Sequence, residues 1–476
     1  MTQHSTPVSA EDRDDRDGSG AGGSRRPLVV LVRPTDVETD SRAKKIGISL
    51  DRIGYDVVIL GRSGSGKRQE GRIGGARVTL LVPQSRLRGA PRRMLRLPAG
   101  RLRRLEKPLN ARLQKVEKKV DARLRGWDRE GFYLWSVAQR DFRTTYGSEL
   151  VRLQPDIIHC HDPRMLPVAF AAAARIRKRT GAPCEVVYDS RENFAGIPEE
   201  NISLRRYHDR LLRMERGLAP KTAAMLTVSE DTATALADRL PLRHRPVVVL
   251  NAPVAGAQPE GEVRSLREDC DIGPEAPLMV YQGAATAIRG VNTMIEALVH
   301  DPDLHTALVV VPFPHPRAEE MTELAESLGV ADRLHILPPV PADQVPGYLA
   351  EADVAVSPIL KGPANHEAGL PNKLFEMLHA GLPIVTSDLR AMSAFVREHE
   401  IGVVFRSGDA ADLARAVKEA LADPMAYAEP HRRAELISHW SWQNQEDPLA
   451  QAYAQVAAPG PGHREDPFPA VHVDWS

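Results

Sequence analysis

Cysteine is scarce in this chain of 476 residues: Cys160, Cys184 and Cys270 are an odd, scattered set. With no CxxC spacing they form neither a disulfide framework nor a structural zinc site, and they fit a reducing, cytoplasmic compartment. Aromatic residues make up only 5%, which argues against a stacking surface for single-stranded nucleic acid. Net charge is absent too, since 63 Lys and Arg balance 63 Asp and Glu. A genome-binding role is thereby disfavoured, and any steering field must be local. No run approaches the roughly 18 apolar residues that a spanning helix requires. The first 26 residues are polar and Gly/Ser-rich, and read as a disordered tail with no secretory leader.

What is present is the balance of a soluble globular protein, 42% hydrophobic and 26% charged, at a length that suggests two domains. Short apolar runs alternate with helical patterns. PLVVLVRP (27–34), a helix from Ser41 to Asp51, and GYDVVILG (54–61) make a βαβ opening. PDIIHCHD, CEVVYDS, AAMLTVS and PVVVLNAP continue it, ending near residue 255. After a Pro/Gly/Glu-rich linker at 254–276 a second series runs from APLMVYQG to IGVVFRSG, within residues 275–440. Strands that are apolar throughout and spaced by helices imply parallel sheets covered on both faces. The expected fold class is therefore α/β, with two Rossmann-like doubly wound domains facing a cleft. Residues 441–456 read as a closing helix with an aromatic anchor, and 457–476 as a second disordered tail.

Residues 62–150 do not fit the alternation. Between Arg86 and Arg125 lie 15 Lys/Arg and 3 Asp/Glu with Leu interspersed. This basic insert reads as a solvated helical pair or as a surface for an anion, either lipid headgroups, which would put the protein at the inner face of a membrane, or nucleic acid, which the neutral total disfavours. A nearby GRSGSGKR (61–68) matches G-x-x-x-x-G-K. However, Arg68 stands where a magnesium-binding Ser or Thr is needed, and no helix pattern follows, so a P-loop is rejected.

Doubly wound sheets bind ligands at the carboxyl ends of their strands. In GLPNKLFEMLHAGLPIVTSD (369–388), Gly369 and Leu370 precede Pro371, whose fixed φ suits the first helical turn. The free N–H groups there form an anion site. Lys373 and Glu376, three apart, share one face, while Leu374, Met377 and Leu378 face the core. A phosphate on the helix tip and Lys373, with Glu376 accepting two ribose hydroxyls, would make a nucleotide site. Gly283 ends the strand LMVYQ, and Arg289 opens the next helix within reach of a diphosphate. In the first domain, His159, His161 and Asp162 close one strand, and Asp189, Arg191 and Glu192 follow another. No third ligand at zinc-like spacing accompanies the His/Asp pair, so polar substrate contacts are the reading and no metal is expected.

These residues resemble a family. P-N-K-x-x-E-M-x-x-A-G-x-P-I-V at 371–385, Y-Q-G…R-G at 281–290, H-x-H-D at 159–162 and the terminal S-W…Y look like nucleotide-sugar-dependent glycosyltransferases of the GT-B fold, the large retaining family 4. The resemblance covers roughly 27–456 except the basic insert. It implies that Glu376 binds the donor ribose, and that Arg289 and Lys373 bind the diphosphate. Gly283, Gly369, Leu370 and Asn372 would line the donor, and His161 and Asp162 would face the transferred sugar or acceptor. Three positions depart from the family pattern. The glutamate expected eight residues before Glu376 is Ala368, so Glu367 beside it is the candidate for the sugar. Asp189-Ser190-Arg191-Glu192 lacks the usual imidazole, and Ala284 replaces an arginine.

The expectation is a metal-independent glycosyltransferase that needs no cofactor beyond its nucleoside diphosphate sugar substrate. It would transfer with retention to an acceptor hydroxyl, lipid-linked if the basic insert meets a membrane. The alternatives are a sugar-nucleotide epimerase on the same fold and a non-catalytic nucleotide-sugar-binding scaffold.

Overall fold

The computed structural model describes residues 25–37, 40–83, 130–197, 205–256, 264–362, 366–367, 369–427 and 429–456. The run 86–125, Ala368 and most of both tails lie outside these residues.

The first lobe holds eight strands, β1 (Leu28–Val32), β2 (Asp56–Arg62), β3 (Gln69–Ile73), β4 (Ala76–Leu81), β5 (Ile157–Cys160), β6 (Glu185–Ser190), β7 (Ala224–Thr227) and β8 (Val247–Val248), in the order β3-β4-β2-β1-β5-β6-β7-β8. All neighbours run parallel except the β3–β4 hairpin. The second lobe holds β9 (Leu278–Gly283), β10 (His305–Val310), β11 (Leu334–Leu337), β12 (Val354–Ser357), β13 (Ile384–Ser387) and β14 (Gly402–Phe405), in the order β11-β10-β9-β12-β13-β14, all parallel. Strand order reverses between β1 and β5 in one lobe and between β9 and β12 in the other, and a crevice at the carboxyl ends follows from each reversal. Val29–Val32 and Leu278–Tyr281 are fully buried, as strands sandwiched between helical layers must be.

Two details correct the sequence reading. Part of the stretch 62–150 belongs to the first sheet: β3 and β4 extend its edge, and Glu130–Leu153 forms a helix. QEGRI is exposed on a sheet edge, so it carries none of the apolar run that marked the other strands. The glycine-rich loop at 63–68 leads into this hairpin and not into a helix, in accord with the rejection of a P-loop. Pro371 is extended (φ −71°, ψ 148°) and caps the helix Asn372–His379 from outside its first turn.

The helix Ser41–Arg52 carries a polar stripe, Arg42, Lys45, Ser49 and Arg52, at helical spacing; Arg42 turns into the first lobe, and Lys45, Ser49 and Arg52 meet Trp442 or Glu446. Trp442 Nε1 donates to Ser49 Oγ at 2.9 Å, and Ser49 Oγ and Arg52 donate to Glu446 at 2.6 and 3.2 Å. Trp442 N donates to Pro253 O at 2.7 Å. The helix Glu446–Val456 thus packs on the first lobe, its chain crossing the segment that links the two lobes. An exposed Asp231–Arg390 pair at 2.8 Å joins the lobes again.

Candidate functional site

A cavity of about 490 Å³ lies between the lobes. Ser41, Lys44, Lys45 and Asn251 line it from the first lobe, and Gln282, Val311, Pro339, Val340, Pro346 and Glu376 from the second. Glu376 therefore faces the gap. Its carboxylate makes no hydrogen bond among the described residues, and burial raises its pKa against the pull of Lys45 and Lys373. Leu374, Phe375, Met377 and Leu378, on the same helix, pack into the core and fix the direction of that carboxylate.

Lys373 lies one turn nearer the helix tip. Its Nζ donates to Tyr281 Oη at 2.7 Å and sits 4.0 Å from the centroid of that ring. Tyr281 in turn donates to Ala284 O at 2.6 Å. Burial and the neighbouring Arg289 hold the Lys373 pKa well below its usual value. Gly283, at φ 130°, leaves room for this ammonium, since a Cβ there would lie 3.2 Å from Nζ. Gly290 (φ 72°) is needed for a second reason: a Cβ would meet Pro358 O at 1.9 Å, so only glycine lets the Arg289 turn approach β12. Neither Lys373 nor Arg289 has a carboxylate ion pair among the described residues. Two basic side chains without acids among the described residues, beside a helix start with no side-chain cap, give this place the chemistry to hold an anionic group. Gly369 and Leu370 are half-buried and Asn372 is exposed at the same helix start.

Two carboxylates expected at the sugar are engaged elsewhere. Glu367 Oε2 accepts from Arg390 N at 3.0 Å, so it caps the helix Arg390–Glu398. Asp162 accepts from Arg164 N and Nε, both at 2.8 Å, and so caps the short turn after β5. In both cases the carboxylate satisfies orphan N–H groups at a helix start, a demand invisible in the linear motif.

At the carboxyl ends of β1, β5 and β6 lies a buried charge network. Asp189 accepts two bonds from Arg42, each 2.8 Å, and one from His161 Nδ1 at 3.0 Å. His159 Nδ1 lies 2.5 Å from the hydroxyl of Tyr453. Arg191 donates to Asp40 at 2.9 Å, and Arg33 pairs with the other oxygen of Asp40. Asp40 is thereby pulled down to about 2, and burial pushes His161 down to about 4. Here the sequence reading missed a third group. Asp189 joins His159 and His161 so that their ligand atoms lie within 4.8 Å of one another. Both oxygens of Asp189 are taken by Arg42, and Arg191 stands 3.3 Å from His161, so the local field opposes a divalent cation.

Lys45 was also missed. It is buried, donates to Ala252 O at 2.5 Å and lies over Trp442. Burial and Arg42 lower its pKa to about 7. Its place in the polar stripe was the available signal, yet a lysine on a helix ordinarily reads as solvent-facing.

This geometry, two doubly wound lobes with an uncapped helix start beside the gap between them, is that of the two-lobed α/β transferases. Family profiles agree with it: residues 276–423 match "Glycosyl transferases group 1" and residues 124–255 match "Glycosyltransferase Family 4". The chain belongs to the GT-B glycosyltransferases, and within them it is family 4-like.

The D-inositol 3-phosphate glycosyltransferase of Geodermatophilus obscurus is 27% identical over 207 residues, covering 41% of this chain and 44% of that one. The 2-deoxystreptamine N-acetyl-D-glucosaminyltransferase of Streptomyces fradiae is 27% identical over 291 residues, covering 59% of this chain and 65% of that one. The chain thus aligns with less than two thirds of either relative. Among solved structures, sucrose-phosphate synthase from Thermosynechococcus elongatus superposes with a TM-score of 0.64 at 14% identity, covering 90% of this chain and 99% of that one. Anabaena HepE in complex with UDP and glucose gives 0.60 at 14% identity, covering 90% and 100%. These likenesses concern the fold. No helix among the described residues is long and apolar enough to cross a membrane.

Proposed function

We propose that the protein transfers a sugar, with retention, from a nucleoside diphosphate sugar to an acceptor hydroxyl. The observation that carries this reading is Glu376: a carboxylate with no hydrogen-bond partner among the described residues, aimed into the interlobe cavity one turn from a lysine that has no acid. It suits a ribose, whose two adjacent hydroxyls each donate one bond. In the step, the acceptor oxygen bonds to the anomeric carbon as the bond from that carbon to the diphosphate oxygen breaks. The acceptor proton leaves with the diphosphate. Lys373, Arg289 and the N–H groups of Asn372–His379 lie where negative charge grows on the leaving group, and they stabilise it without reorganising. Closure of the lobes excludes water that would otherwise take the sugar.

An epimerase would need acid and base carboxylates at the sugar, and the two candidates, Asp162 and Glu367, are held in caps. A lipid-linked acceptor and contact of 86–125 with an anionic membrane face remain part of this proposal. UDP is the base favoured, because HepE, a neighbour in fold, is solved with it. The test is a thermal-shift screen against UDP, GDP and ADP sugars, followed by determination of the product's anomeric configuration. Stabilisation by a UDP sugar and a retained anomer support the reading. The absence of a shift with every sugar nucleotide overturns it.

A further inference from the structure

We infer that the first lobe carries a second anion site, built from Arg33, Arg191 and His161, and that it selects an acceptor bearing an oxyanion such as a phosphomonoester. The inference rests on the glycosyl-transfer reading and names its acceptor class. Among the described residues, three guanidinium groups, Arg33, Arg42 and Arg191, face Asp40 and Asp189, while the further carboxylate near Arg33, Asp162, is taken by Arg164. Arg42 is spent: it holds both oxygens of Asp189 and donates to Val249 O at 2.6 Å. Arg33 and Arg191 share Asp40, and Arg191 Nε also lies 3.8 Å from Asp189 Oδ2. Among the described residues the cluster thus holds one more positive than negative charge in a largely buried place, which is costly unless an anion completes it.

The unmet bonds point the same way. Among the described residues, Arg191 Nε is buried with no hydrogen-bond partner, Asp189 Oδ2 lying 3.8 Å away, and His161 Nε2 is likewise unmet. The residue His161 is only 3% exposed. Arg33 and Arg191 keep side-chain exposures of 17% and 24%, enough to be reached. The cluster borders the donor cavity, because Asp40 caps the helix whose next residues, Ser41 and Lys45, line it. A phosphoryl group there would take donors from Arg33 and Arg191 while an adjacent hydroxyl donates to His161 Nε2. An acceptor ammonium would instead meet two guanidinium groups and be repelled. Arg191 also explains one departure from the family pattern, since a fixed cation replaces an imidazole.

Calorimetry on the intact protein tests this with UDP bound throughout, so that the donor phosphate site is filled. The probes are inorganic phosphate, an inositol monophosphate, free inositol and 2-deoxystreptamine. The expected order is inositol monophosphate tightest, inorganic phosphate next, and free inositol and 2-deoxystreptamine weakest. Arg191→Gln and Arg33→Gln should each weaken the monophosphate 10- to 100-fold and inositol by less than threefold, with Arg191→Lys intermediate. Should either glutamine variant fail to fold, competition in the wild-type protein decides: inorganic phosphate must displace the monophosphate. The inference is overturned by equal binding of inositol and its phosphate, by tighter binding of 2-deoxystreptamine, or by variants that leave the ratio unchanged. Failure of UDP itself to bind would instead count against the donor reading.

Discussion

The two sides of the cleft treat charge in opposite ways. On the second lobe, Lys373 and Arg289 stand without carboxylates among the described residues, and Glu376 without a hydrogen-bond donor. On the first, the charges buried at the strand ends are largely paired, with Arg42 and Asp189 both almost wholly buried in a two-bond contact, while Lys45 has no acid partner among the described residues. Unpaired groups are costly to bury and are explained by a ligand, whereas paired ones hold the lobe together. The second lobe therefore presents groups suited to a ligand, and the first presents a scaffold with, among the described residues, one positive charge to spare.

This contrast is broken most severely by Asp189→Asn. Leaving Arg42 buried and uncompensated should cost about 3–5 kcal/mol in chemical denaturation, and a loss below 1 kcal/mol would contradict the scaffold role. Lys373→Met should do the reverse. UDP affinity falls about tenfold, as loss of one charge-assisted contact implies, while the melting temperature holds or rises because a buried cation without an acid is removed. A lowered melting temperature with intact UDP affinity would mark Lys373 as structural.

Lys45 sharpens the comparison through pH. Its pKa falls from 10.5 in the unfolded chain to about 7 in the fold. The unfolded state binds more protons between those values, so stability rises with pH across that window. Lys45→Met should flatten the rise, and an unchanged slope would show that Lys45 is not buried as described. Glu367→Gln should cost about 1 kcal/mol as a weakened helix cap and leave transfer within a fewfold of wild type. A loss of transfer beyond 100-fold would return Glu367 to the sugar. Least in magnitude, the intact protein should bind anionic vesicles at low salt and release them at high salt, and no binding at low salt would end the membrane proposal.

The parallel strands were legible because each is a short, wholly apolar run between helical patterns, as in PLVVLVRP and PIVTSD. The β3–β4 hairpin was not, since an exposed edge strand such as QEGRI needs no apolar residues. The grouping of Lys373 and Glu376 at the gap was legible for a related reason. Lys373, Glu376 and their glycines sit on one helix and one loop, where sequence spacing is spatial spacing. The opposite side assembles Arg33, Asp40, Arg42, His161, Asp189 and Arg191 from four separate segments. Their pairing depends on strand order, which no local pattern states. The helix-start contacts of Asp162 and Glu367 were hidden for the same cause: a carboxylate near a strand end can serve a ligand, a helix start or both, and only three-dimensional neighbours tell.

The central claim is that Glu376 holds the nucleotide's ribose within the interlobe cavity. Isothermal calorimetry of UDP with wild type and Glu376→Ala tests it most directly. Two hydrogen bonds to a charged group predict a loss of affinity on the order of 100-fold, with the folded-state circular dichroism unchanged. Equal affinity in the two proteins would contradict the account.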